Sequence, residues 1–327
     1  MAKYKKIISG LIGVVAMFVG AVLPYGAVSA FTVSPQLQEY VLMPGQSVTG
    51  EVEAFNPSDA EGKFYYIAEV VPFSVSEDGD YSPSFDVENG YTDIVNWVTM
   101  SDDDESGMKE VRGTLEPGEE GKAYFTITVP KDARGGGQYF GVRIKTDAEA
   151  TQDADNNDTV AIKEVLGIVS LVYVEVSGDI TVKGEITKND IPSFFLNPPI
   201  STSFMMKNEG NTHAKISYYL QVYPLFSDEE VYTNEEDMET RYVLPGASRM
   251  ITQSWDNSPA VGVFKVRQVV YYDSTDNEPS ITEKIVIICP IWLIFVVLFV
   301  IFALIFYFVA KSKARKKAKA VKRPENA

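Results

Sequence analysis

The stretch KAYFTITV, residues 122–129, decides the fold class of this chain. Its apolar residues Ala123, Phe125 and Ile127 alternate with more polar ones, so every second side chain points to the same side. A period of two is typical of a β-strand with one buried face. The stretch KISYYLQVY, residues 215–223, repeats this alternation, so strands of the same kind are predicted in both halves of the chain.

Similar short stretches fill the region between these two and around them. Further strands are predicted at Ser47–Ala54, Phe64–Val71, Ile94–Thr99, Gln138–Lys145, Val160–Val176, Thr202–Lys207, Arg249–Ser254, Val263–Tyr272 and Ser280–Ile285. Turn residues such as Pro-Gly and Asn-Pro separate them. Many short strands with regular turns predict an all-β fold of two Ig-like antiparallel β-sandwich domains plus one C-terminal transmembrane helix.

The boundary between the two sandwiches is predicted near Ser177-Gly178-Asp179, which gives domains at 31–178 and 179–284. A short Leu/Pro-Gly element recurs as LMPGQ, LEPGEE and LPGAS, each time just before a predicted strand. This recurrence indicates two similar folds and not a tandem array of short repeats.

The first thirty residues, 1–30, are predicted to be a secretory signal peptide. Three lysines precede an apolar run from Ile7 to Val22, and Val28-Ser29-Ala30 offers small residues for cleavage. An uncleaved signal anchor is the alternative for this segment.

The other end of the chain is predicted to cross a membrane. Residues 285–310 carry no charge over 26 positions, and at about 1.5 Å per residue such a helix spans a hydrocarbon layer of about 30 Å. The tail, 311–327, has eight Lys or Arg in its first thirteen residues. The positive-inside rule therefore predicts a single-pass cell-membrane protein with an extracellular ectodomain and a cytoplasmic C-terminus.

Charge and composition exclude several functions for the predicted ectodomain. Of 29 basic and 45 acidic residues in the chain, 18 and 44 lie between the signal and the tail, a net charge of −26. Such a surface repels nucleic acid. The chain has one histidine, His213, and one cysteine, Cys289 within the predicted span, which excludes a two-histidine zinc site and a cysteine nucleophile in the ectodomain. The sequence thus predicts no catalytic residue and no enzyme.

A calcium site is the one metal site that the sequence suggests, and otherwise no cofactor is expected. Asp153, Asp155, Asn157 and Glu164 place oxygen atoms at positions 1, 3, 5 and 12 of an EF-hand-like loop. Position 6, where such loops have glycine, is an aspartate here, and the flanks are predicted strands. A hairpin tip exposed to solvent explains the same residues. A second acidic cluster, Asp102-Asp103-Asp104-Glu105, has the same two interpretations.

Three stretches resemble one known family. They are FTVSPQLQEYVLMPGQSVTGEVEAFNPSD (31–59), LEPGEEGKAYFTITVPKDARGGGQYFGVRI (115–144) and FMMKNEGNTHAKISYYLQVYP (204–224). They resemble the WxL-interacting proteins, which are signal-bearing, single-anchor surface proteins of Gram-positive bacteria. The resemblance implies a first domain that binds peptidoglycan and a second that binds WxL proteins or host components. The combination is also similar to surface proteins of very small-genome bacteria such as the Saccharibacteria.

These observations predict a membrane-anchored cell-surface binding or scaffold protein, active in adhesion. Its expected partners are a cell-wall polymer (peptidoglycan), surface proteins, or both. The membrane-distal first sandwich is expected to carry the main contact, because the second joins the span through a very short linker. The alternative is a calcium-dependent wall hydrolase or a regulatory subunit of one.

Overall fold

The chain folds into two β-sandwiches followed by one long helix. The computed structural model describes residues 31–102, 106–150, 167–273 and 277–321. The predicted all-β, Ig-like architecture with a single C-terminal helix is confirmed. The predicted signal peptide, 1–30, lies outside the described residues.

The first sandwich pairs two five-stranded sheets. One sheet has the order β1 (Thr32–Ser34), β3 (Ser47–Phe55), β10 (Glu120–Thr128), β7 (Val98–Ser101) and β8 (Ser106–Met108). The other has the order β2 (Leu37–Leu42), β12 (Gly167–Val176), β11 (Gly136–Thr146), β4 (Phe64–Pro72) and β9 (Glu110–Leu115). A small hairpin, β5 (Ser74–Val75) and β6 (Pro83–Ser84), follows β4.

The core of the first sandwich lies between these sheets. In β10 the predicted inward residues Ala123, Phe125 and Ile127 are all buried, at 1% exposure or less. Phe125 meets Phe140 of the facing sheet edge to face, with ring centroids 5.6 Å apart. The alternation that defines the strand in the sequence is therefore the alternation between core and solvent.

The second sandwich has a three-stranded and a six-stranded sheet. The smaller sheet has the order β13 (Gly184–Asp190), β15 (Ile200–Asn208) and β19 (Ser248–Trp255). The larger has β14 (Phe194–Phe195), β21 (Ser280–Ile288), β20 (Gly262–Tyr272) and β16 (Ala214–Pro224) in order, with β17 (Tyr232–Thr233) and β18 (Glu239–Val243) both paired to β16. Among the described strands, pairing is antiparallel except for β2 with β12 and β14 with β21.

Both sandwiches contain the same clasp between a buried asparagine and a Pro-Gly turn. In the first, Asn56 donates its backbone N–H to Glu119 and accepts one from Gly118. In the second, Asn208 donates to Ala247 and accepts from Gly246 in the same way. The side-chain Nδ2 atoms also correspond, since each donates to the carbonyl two residues before its proline. This shared geometry accounts for two of the three Leu/Pro-Gly elements in the sequence, LEPGEE and LPGAS.

The two sandwiches pack directly against each other. One hydrophobic cluster combines Phe73, Tyr139 and Tyr173 of the first sandwich with Phe204 and Tyr218 of the second, among others. A loop of the β5–β6 hairpin reaches across as well: Gly79 pairs with Arg249 in an isolated bridge. The side-chain oxygen of Tyr81 accepts a hydrogen bond from the backbone of Leu244 at 3.1 Å. The interface therefore has both an apolar and a hydrogen-bonded part.

The structure corrects two expectations from the sequence. Ile94 was expected in a strand, but Asp93–Trp97 forms a 3₁₀ helix and the strand begins at Val98. Residues 285–288, expected to begin the membrane span, instead complete β21, and the long helix α1 starts at Ile291 and ends at Val321. Uncharged apolar residues occur both in buried strands and in membrane-spanning helices, so hydropathy alone does not show where β21 ends and α1 begins. The part of α1 long and apolar enough to cross a membrane is Ile291–Lys313.

Candidate functional site

A groove of about 660 Å³ opens at the end of the first sandwich where it meets the second. Its volume lies within the range of ligand-binding clefts, about 300–1,000 Å³. Two half-buried aromatic side chains and several polar ones line it. The side chains used below are Tyr91, Asp93, Trp97, Asp132, Arg134, Gln138 and Asn211.

The aromatic wall depends on the 3₁₀ helix. Ile94 is fully buried in the first core and holds this segment against the sandwich. The backbone N–H of Ile94 donates to Oε1 of Gln138 at 3.3 Å, and Tyr91 accepts a backbone bond from Tyr139 at 2.8 Å. These bonds attach the segment to the start of β11. Tyr91, two residues before the 3₁₀ helix, and Trp97, at its end, consequently line the same groove.

The floor of the groove is a run of three glycines, 135–137. Because they have no side chains, the linker and the second sandwich can pack closely against them. A Cβ on Gly135 would lie 2.5 Å from the backbone nitrogen of Asp179, in the linker between the sandwiches. Asn211 then closes the junction, because it donates to Gly135 and to Asp179 and accepts from Thr181. Gly136 has a φ of +137°, a backbone conformation that favours glycine. Their further role is to permit close approach of the linker.

Charges of both signs stand at the rim of this groove. Arg134 is exposed and forms no ion pair with any residue in the described ranges. Asp93 and Asp132 are exposed on the same groove. Aromatic faces beside charged and amide groups suit a ligand that has sugar rings together with amino and carboxylate groups.

His213 lies behind the groove, at the interface between the sandwiches. Its Nδ1 is 3.3 Å from the hydroxyl of Tyr139, and its Nε2 is 3.5 Å from a carboxylate oxygen of Glu39. Tyr242 also donates to Glu39, at 2.9 Å. Burial lowers the pKa of His213, and the carboxylate of Glu39 opposes part of that shift. The carboxylates of Glu175 and Asp273 oppose it as well, so burial is the cause that prevails at this interface.

The tyrosines of the second sandwich are buried or half-buried. Tyr218 and Tyr219 are buried, at 1% and 5% exposure. Burial raises the pKa of Tyr218 to about 12 and that of Tyr272 also to about 12. Tyr218 and Tyr219 are therefore not available as an exposed platform for a ligand.

The predicted calcium ligands Asp153, Asp155, Asn157 and Glu164 lie outside the described residues. Within the described ranges, no group of three or more His, Cys, Asp or Glu residues is arranged to hold a metal ion. Of the second acidic cluster only Asp102 is described. The calcium hypothesis consequently stays a prediction from the sequence.

No motif in the sequence marks Trp97, Arg134 or Gln138 as site residues. Tyr91 and Trp97 lie about forty residues before Arg134 and Gln138, and the strands β7 to β10 separate them. The only local signal was the glycine run beside Arg134, which predicts a turn and not a binding surface. Tertiary packing of the 3₁₀ helix on β11 brings the set together.

Comparisons with known proteins give structural similarity alone. No protein-family model matches the chain, and no curated protein matches it. Among solved structures it is similar to a chaperone–tip adhesin complex of CFA/I fimbriae, with a TM-score of 0.38, 11% identity, and coverage of 78% of this chain and 98% of that chain. It is also similar to the E. coli chaperone DraB, with a TM-score of 0.34, 13% identity, and coverage of 79% and 96%. A Salmonella enterica SafA pilin–SafB chaperone complex gives a TM-score of 0.32, 10% identity, and coverage of 79% and 96%. These low values identify neither a family nor a ligand for this chain.

Proposed function

We propose that this chain is a membrane-anchored cell-surface protein whose first sandwich binds cell-wall polymer through the groove beside Trp97. The observation that carries the proposal is the groove itself, in which Tyr91 and Trp97 stand beside Arg134 and Gln138. Peptidoglycan offers sugar rings for stacking and peptide carboxylates for an arginine. The resemblance to WxL-interacting proteins points to the same polymer and adds surface proteins as partners of the second sandwich.

The proposed topology places this groove away from the membrane. Strand β16 begins beside the first sandwich, at Ala214, and ends at Pro224, whose partner Phe264 lies near the start of β20. Eleven residues at about 3.3 Å each give a length of about 36 Å. The chain then enters α1 at Ile291, next to that far end. With α1 as the anchor and the basic tail in the cytoplasm, the first sandwich and its groove face the wall.

Sedimentation with purified peptidoglycan tests this assignment. The full chain in detergent is mixed with sacculi, and the bound fraction is measured for wild type, Trp97→Ala and Arg134→Ala. We expect each substitution to weaken binding by about tenfold, which corresponds to about 1.4 kcal/mol. Tyr124→Ala is the matched control, because Tyr124 is a half-buried tyrosine on the outer face of the first sandwich. It should bind like wild type.

Separate production of the two sandwiches locates the activity independently of these side chains. Residues 31–178 should retain binding to sacculi and residues 179–288 should bind poorly. Binding held by the second piece alone, or equal loss in Trp97→Ala and Tyr124→Ala, would contradict the proposal. Release of soluble wall fragments by the intact chain, abolished by replacement of one carboxylate, would instead favour the hydrolase alternative, and calcium or a chelator in the same assay would show whether calcium is required.

A further inference from the structure

The end of the second sandwich nearest to α1 exposes a set of large apolar side chains, here called the apolar rim. Phe226 is 97% exposed, which is the highest value among the large apolar residues of the described chain. The other members of the rim are between 37% and 51% exposed. They are Phe194, Leu196, Val263, Ile285 and Ile287. Single exposed apolar residues are ordinary, but a contiguous group marks a contact surface.

Strand pairing places these side chains next to one another. Ile287 of β21 lies directly between Phe194 of β14 and Val263 of β20. Their neighbours Val286 and Phe264 point inward and are buried, so all three members of this row face outward. Ile285 follows two positions along the same face of β21. The rim is therefore one continuous outer surface across three strands.

The loop after β16 adds Phe226 to this end of the sandwich. The backbone N–H of Leu225 donates to the carbonyl of Val263 at 3.1 Å. Phe226, the next residue, therefore lies close to Val263 near the start of β20. Leu196 follows β14, whose Phe195 accepts a backbone bond from Cys289 at 2.9 Å. Both loop residues thus extend the rim toward the start of α1.

Only Cys289 and Pro290 separate β21 from α1. Ile287 is four residues from Ile291, so these two residues lie within about 14 Å of each other. The most apolar window of α1 is not covered by the rest of the protein, and Trp292 near its start is exposed. Tryptophan favours the interface between lipid and water. A helix entering the bilayer at this point brings the apolar rim to the headgroup region, which occupies about 5–8 Å on each side.

We propose that the apolar rim docks on the outer lipid surface and holds the second sandwich against the membrane. The proposal rests on α1 being the membrane anchor. Uncharged, branched and aromatic side chains at this depth gain free energy by leaving water for the acyl-chain boundary, as interfacial segments do. Lipid is favoured over a second copy of the chain because only Cys289 and Pro290 separate the strand that carries the rim from α1, so the bilayer that takes up the helix lies next to the rim.

Lipid contact can be measured with a fluorescent probe at single cysteines. The full chain with Cys289→Ser, which removes the one native cysteine, is reconstituted into phosphatidylcholine nanodiscs. An environment-sensitive nitrobenzoxadiazole probe is attached at Phe226→Cys or at Ile285→Cys. Val41→Cys is the matched control, because Val41 is 70% exposed but lies on the first sandwich. Leu298→Cys reports the helix itself. Quenching by lipid labelled with a shallow doxyl group is then compared among the four.

We expect the two rim probes to be quenched at least twofold more than the probe at position 41, and the helix probe to be quenched as well. Quenching at Leu298→Cys with none at either rim position would overturn the rim proposal and leave the anchor intact. Absence of quenching at Leu298→Cys would overturn the anchor and the rim together. Two rim sites are used so that misfolding of one variant does not decide the result. Rim probes that quench each other between chains, without quenching by the labelled lipid, would replace lipid by a second copy as the occupant.

Discussion

Replacing Asn208 by alanine should destabilise the second sandwich strongly. The side chain is fully buried, and its Nδ2 donates to the carbonyls of Thr212 and Val243 at 2.8 Å each. Its Oδ1 accepts from the backbone of Gly210, also at 2.8 Å. Alanine replaces none of these bonds, and a buried polar group left unpaired costs about 1–3 kcal/mol. Because water can reach part of this turn, we expect a total loss of about 2–4 kcal/mol in the free energy of unfolding.

Urea unfolding of residues 31–288 measures this loss domain by domain. Trp255 is in the core of the second sandwich, at 6% exposure, while Trp97 belongs to the first. Single-tryptophan versions therefore report the two sandwiches separately. With a slope of about 2 kcal/mol per molar urea, the midpoint reported by Trp255 should fall by about 1–2 M. Asn96→Ala is the matched control, because Asn96 is exposed and the same atoms are removed.

A free energy of unfolding for Asn208→Ala within about 0.5 kcal/mol of that for Asn96→Ala would contradict this prediction, because surface substitutions change the free energy by that amount. The equivalent change Asn56→Ala removes the corresponding donor to Leu115 in the first sandwich. Asn56→Ala should lower the urea midpoint that Trp97 reports. A lower midpoint reported by Trp255 alone would also contradict the shared clasp.

The remaining predictions concern pH and the junction. Burial raises the pKa of Tyr81 to about 12, so this tyrosine loses its proton at a lower pH in the unfolded chain than in the folded one. The free energy of unfolding should therefore fall by about 2 kcal/mol between pH 10 and pH 12 because of this residue. Tyr81→Phe should make the dependence of the free energy of unfolding on pH less steep in this range. Burial lowers the pKa of His213, so as the pH drops this histidine binds a proton in the unfolded chain before it does so in the folded one. The free energy of unfolding should therefore fall as the pH drops below about 6.5. His213→Gln should remove this contribution. Gly135→Ala places a Cβ against the backbone of Asp179 and should lower stability by about 1–3 kcal/mol, while Gly62→Ala, with open space around it, should be nearly neutral by thermal melting.

The alternation in the sequence determined the fold class because burial of one strand face is a local property. Residues 122–129 and 215–223 needed only a period of two to be identified as strands, and both are. The apolar helix could be predicted in the same way, from the length of a stretch of sequence without charges. Its start was set by tertiary structure instead: residues 285–288 found partners in β14 and β20, and hydrogen bonding across strands kept them in the sheet.

The candidate site was decided by tertiary structure alone. Trp97 was expected within a strand, Ile94–Thr99, but it ends a 3₁₀ helix, and nothing adjacent to it in sequence indicates Arg134 or Gln138. Their proximity arises because the buried Ile94 anchors a 3₁₀ turn on the first core and because Gln138 bonds to that turn. The sequence by itself thus determined the strands, the apolar helix and the charge, which depend on neighbouring residues. The groove and the apolar rim depend on which strands lie side by side, and only long-range packing decides that.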